Sequence, residues 1–102
     1  MNLLVSENGY DVIPDPKLFM IRQFRELLDS RSANKDILTK ELGYLYFYAN
    51  PESIFADQTD DITRHIDVVM YVGLPQGWSV DDVLQRALEC YDTFINMKAS
   101  TR

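Results

Sequence analysis

A chain of 102 residues, 46% apolar and 25% charged, makes one domain with a modest core. Its formal net charge of −6 weighs against nucleic-acid binding, which needs bases facing a phosphate backbone. A single cysteine, Cys90, excludes an intrachain disulfide and favours a reducing compartment.

The first residues, Met1 to Asn8, lack the basic start and long apolar run of a signal peptide. The longest apolar run, Tyr44–Ala49, is six residues, far short of the ~20 that span a membrane. Residues 1–14 read as an extended arm, with Leu3, Leu4, Val5, Tyr10, Val12 and Ile13 as its apolar positions and Asn8-Gly9 as an interruption. Such an arm forms a short strand or lies along the domain.

Asp15-Pro16 is a helix start, a capping carboxylate followed by proline at the first helical position. The spacing predicts a helix from there to Asp29, with Phe19, Met20, Phe24, Leu27 and Leu28 near one face. A second helix is expected from near Ser32 to about Tyr48, on the repeat of Ile37, Leu38, Leu42 and Leu45. Its end, 43–48, is rich in strand-favouring residues, yet the pattern continues from Ile37 without a turn signal, and helix is preferred. Asn50-Pro51 stops it.

Residues 51–58 read as a loop. Thr59 is expected to cap a third helix with Asp60 and Asp61 in its first turn and Ile62, Ile66, Val69, Met70 and Val72 on its apolar side, ending at Gly73. The fourth helix is capped by Ser79 and carries Val80, Val83, Leu84, Ala87, Leu88, Tyr91, Phe94 and Ile95 at i, i+3, i+4 spacing. The expected fold is mainly α: a small bundle of about four helices over 15–97, with the arm before it and a polar tail, 98–102, after it.

Candidate chemistry is thin. His65, the sole histidine, has no identifiable second acid or nucleophile beside it and reads as a rim residue. Cys90 has no basic neighbour in sequence and reads as a small buried side chain. One cysteine and one histidine do not make a zinc site. The pairs Asp60-Asp61 and Asp81-Asp82 fall in first helical turns, where the helix dipole accounts for them. No phosphate-binding glycine motif is present. An enzyme is not expected, nor a cofactor, a metal or a small-molecule substrate.

What remains is surface. Residues 17–40 carry six bases against three acids; the remainder carries four against 13. This is either ordinary solvated helix surface or a two-ended molecule whose basic side meets an acidic neighbour, another copy included. Tyr44, Tyr46, Phe47 and Tyr48 crowd one helix end. They divide between core packing and a protein contact, where tyrosines make rigid anchors. Trp78 reads as a staple or lid on the core.

Asp29 and Lys35, then Lys40-Glu41-Leu42-Gly43-Tyr44-Leu45-Tyr46, then Glu52-Ser53-Ile54-Phe55-Ala56-Asp57 and Arg64, give the stretch 24–91 a pattern. It resembles small virion and assembly proteins of tailed bacteriophages of the crAss-like podovirus kind. Where that family carries Ser-Pro-Tyr in the loop, this chain has Ser53-Ile54-Phe55. The resemblance implies a virion subunit, made in the bacterial host cytoplasm: a helical adaptor in a portal, neck or tail ring. Its partners would be other virion proteins and copies of itself, with no membrane and no direct nucleic-acid contact. Tyr44, Tyr46, Tyr48 and Phe55 are then the expected interface anchors, and Arg22, Arg25, Arg31 and Lys35 the electrostatic contacts. On this view, reversing Arg25 and Arg31 together leaves the monomer folded and blocks assembly. The alternative is an acidic regulatory protein, absent from virions, that binds and inhibits a host protein.

Overall fold

The computed structural model describes residues 3–6, 12–75 and 77–100, the side chains only as far as 96 at the C-terminal end. Two short strands, β1 (Leu4–Ser6) and β2 (Val12–Pro14), precede a 3₁₀ helix (Pro16–Met20) and four α-helices: α1 (Arg22–Ser30), α2 (Lys35–Ala49), α3 (Asp61–Val72) and α4 (Asp82–Ser100). The chain is mainly helical, as the periodicity implies.

The arm folds back on itself. β1 and β2 pair antiparallel with Val5 opposite Ile13, and alternation buries Leu4 and Val12 while turning Val5 and Ile13 outward. The hairpin lies against α2 and adds Leu3, Leu4 and Val12 to the common core. Asn8, Gly9 and Tyr10 lie outside the described residues.

The first expected helix is two. Asp15 caps it, its Oδ1 accepting from the Lys17 N–H at 2.8 Å, but the turn is 3₁₀ and ends at Ile21 in extended conformation (φ −83°, ψ 129°). A β-branched residue takes that conformation readily. The break re-aims the chain so that Leu18, Phe24 and Leu27 are all fully buried, while Met20 stands 83% exposed instead of facing the core.

The other helix starts fall slightly later than the sequence suggests, each where a side-chain oxygen meets a free N–H. Asn34 caps α2 through Ile37 N–H at 3.2 Å, so the helix begins after Ser32. Asp60, not Thr59, caps α3, taking the Thr63 N–H at 3.1 Å together with the Thr63 hydroxyl. Asp81, not Ser79, receives the Leu84 N–H at 2.9 Å at the start of α4, which continues through 98–100 rather than ending in a tail. Gly73 closes α3 in the left-handed region (φ 79°), where other residues are strained.

Helix α2 is the hub. It is helical throughout 43–48 and buried without interruption from Glu41 to Phe47. The hairpin, α3 and α4 all pack on it, and α1 packs on α4. Gly43 permits the close approach of α3: a Cβ there would stand 3.2 Å from Val72 Cγ1. Burying each large side chain of this hub contributes about 1.5–3 kcal/mol. Because α3 and α4 seat on α2 rather than chiefly on each other, a groove runs between them.

Candidate functional site

Two structures meet at the foot of that groove: a buried polar network and an aromatic stack. Glu41 is 2% exposed at the middle of α2. Its carboxylate accepts from Arg31 Nε at 2.7 Å, Arg31 Nη2 at 3.2 Å and Trp78 Nε1 at 3.1 Å. Arg31 Nη2 also reaches Asp81 at 2.7 Å, tying the α1–α2 turn to the start of α4. Hydrogen bonding to Glu41 raises the Arg31 pKa against the opposing effect of burial, so the guanidinium stays charged. Partial burial alone would raise the Asp81 carboxyl. The Leu84 N–H and Arg31 outweigh it and hold Asp81 below the usual carboxylate range.

Beside the network, Tyr44 stacks on Tyr48 (centroids 5.4 Å apart, planes 14° apart) and takes Trp78 edge-on at 5.1 Å. The Tyr44 hydroxyl lies 2.7 Å from His65 Nδ1, and the His65 ring stacks on Trp78 at 6.1 Å. Burial pushes the Tyr44 phenol well above its ordinary pKa. Arg64 lies 4.5 Å over the Tyr48 ring, with Nη1 on Gln58 O at 3.1 Å and Nη2 on Asp61 at 2.8 Å. His65 is therefore a packed joint between α2, α3 and the α3–α4 connection, and Trp78 is both lid and hydrogen-bond donor.

The expected interface residues separate accordingly. Tyr44 and Tyr46 are core side chains, because α2 is covered on almost every side, and they are not surface anchors. Tyr48 is half-buried and contributes to the groove floor. Phe55 is half-buried against Phe47 and Tyr71 rather than free to enter a partner. Arg31 is engaged inside the chain, and its reversal would place a second carboxylate against Glu41; the expectation of a folded Arg25, Arg31 double variant is overturned. Arg22, Arg25 and Lys35 are exposed.

The groove itself has Tyr44 and Tyr48 below, Asp61, Ile62 and His65 on the α3 wall, and Val80, Gln85 and Leu88 on the α4 side. It continues past Arg64 to Glu89 and Asp92. Ile62 stands at its lip and begins an i, i+4, i+8 row on α3, Ile62, Ile66 and Met70, which are 72%, 51% and 76% exposed. These three were expected to face the core together with Val69 and Val72; the two valines do pack against it, while Ile62, Ile66 and Met70 do not. Beside the valines α3 buries Val68 and turns Arg64, His65 and Tyr71 inward, because aromatic and cationic side chains fill the space beside Tyr44 and Tyr48. The i, i+4, i+8 row was legible in the sequence; which of two candidate faces went inward was not.

Comparison with family models, curated proteins and solved structures returns no match. Among the described residues no helix is long and apolar enough to cross a membrane. Nor do three His, Cys, Asp or Glu side chains group there to hold a metal ion. Burial raises the Cys90 thiol, which lies half-buried between α4 and the Ile21 corner, away from the thiolate form.

Proposed function

We propose that this chain is a protein-binding domain that works as a repeated subunit of an assembly, the role implied by its resemblance to phage adaptor proteins of portal, neck or tail rings. One observation carries the reading: the row Ile62, Ile66, Met70 left in water on α3 beside an aromatic-floored groove. Isolated apolar side chains on a surface are ordinary; three in one helical row are a recognition face. The groove's acidic margin, Asp61, Glu89 and Asp92, disfavours a phosphate backbone and suits a basic protein surface.

The test is quantitative mass spectrometry of particles purified from infected cells that make the chain. A fixed number of copies per particle is the expected result. Expression without incorporation overturns the assembly role and leaves the host-directed acidic regulator, whose partner would be sought by affinity capture.

A further inference from the structure

The corner where the 3₁₀ helix meets α1 has the complementary chemistry. Met20 stands exposed there, two residues from fully buried Leu18, so its position is a consequence of the Ile21 break and not of a loose fold. Lys17, Arg22 and Arg25, within five residues of it in sequence, are all exposed. Among the described residues Arg22 and Arg25 meet Glu26 at 3.4 Å and Asp29 at 3.8 Å on the same helix. Exposed pairs of this kind contribute little to stability and exchange partners readily. The groove offers the converse: Tyr48 and Leu88 within, Ile62 on the lip, and Asp61, Glu89 and Asp92 at the margin. Arg64, the one base lining it among the described residues, is already held by Asp61, Gln58 and Tyr48.

The two surfaces lie on different flanks of α4. That helix turns Arg86, Cys90 and Phe94 toward the α1 side and Gln85, Leu88 and Asp92 toward the groove, with Glu89 on the crest between, lining both. A copy cannot place its own corner in its own groove.

We infer that the Met20 corner of one copy docks in the α3–α4 groove of a second copy, head to tail, with Arg22 and Arg25 facing Glu89 and Asp92. The inference rests on the assembly reading above and names its contact. Two different faces meeting is a heterologous contact, which repeats into a ring or an open chain. The opposed charges set orientation and make the contact weaken with salt.

Sedimentation velocity of the purified full chain over a concentration series tests it, with two exposed double variants, R22E/R25E and E89K/D92K. Circular dichroism checks that both fold. Wild type is expected to associate with rising concentration, less so in high salt, and each variant to associate roughly tenfold more weakly or not at all. Mixing the two variants restores association, since each groove again meets a corner of opposite charge. Variants that associate like wild type, or a mixture that stays monomeric, overturn the inference. So does a wild type that remains monomeric while its groove binds a basic amphipathic helical peptide, which would assign the groove to a foreign partner. The outcome is separable from the particle count: self-docking by a protein absent from virions removes the ring and keeps the contact. A virion subunit that is monomeric in solution does the reverse.

Discussion

Helices α2 and α3 lie side by side, but their apolar residues do different things. In α2, seven consecutive residues from Glu41 to Phe47 are buried, and even its one buried acid is saturated with donors. In α3, Val68 is the one fully buried residue, while three large apolar side chains face water in a row. Packing accounts for every apolar residue of α2. It does not account for Ile62, Ile66 and Met70, and on the proposed function the difference separates what the fold requires from what a partner would.

That contrast can be broken at several points. The largest effect is expected at the α2 network: Arg31→Met leaves Glu41 buried without its cation and costs about 3–5 kcal/mol, read as a lowered denaturant midpoint. Next is Gly43→Val, which pushes Val72 and α3 away from α2 and costs about 1–3 kcal/mol in the same measurement. Tyr91→Phe removes the hydroxyl that accepts from Asn50 Nδ2 at 2.9 Å and costs about 1 kcal/mol, loosening α4 from the end of α2. On α3 the ranking inverts. Ile66→Ser with Met70→Ser changes stability by no more than about 0.5 kcal/mol per site, yet should lower incorporation into particles.

The smallest effect sharpens the comparison through pH. Asp81 has a depressed folded pKa, so its contribution is present above the unfolded carboxylate value and is lost as pH falls through the folded one. Acid unfolding curves of wild type should therefore be steeper below the ordinary carboxylate range than those of Asp81→Asn, which keeps a competent cap. Tyr91 acts at the other end. Burial pushes its phenol up to about 12, so its contribution is intact below the unfolded value near 10 and is lost as pH rises through that window.

The helix count, the order of elements and the helical state of 43–48 were legible, because periodicity and the Asn50-Pro51 stop are local signals. The later helix starts were misplaced by one to three residues where several Ser, Thr, Asn and Asp stood close together and only geometry chose among them. The break at Ile21 had no glycine or proline to announce it. The site was legible in composition and not in assignment. Tyrosines next to one another in sequence read as surface anchors until three neighbouring elements cover the helix that bears them. A row of Ile and Met on a helix reads as core until Arg64 and His65 prove to hold the inward positions. Which of two amphipathic faces goes inside depends on the shape of the neighbour, and a single sequence does not encode that locally.

The Trp78 indole carries one more consequence. It is the chain's sole tryptophan, it bonds to α2, it stacks on the α3 histidine that lines the groove, and it stands just ahead of α4. The protein is thus built with its own optical probe at the junction where its helices meet. Its intrinsic emission will register both the separation of the helices on unfolding and the arrival of a guest in the groove, with no dye or label attached.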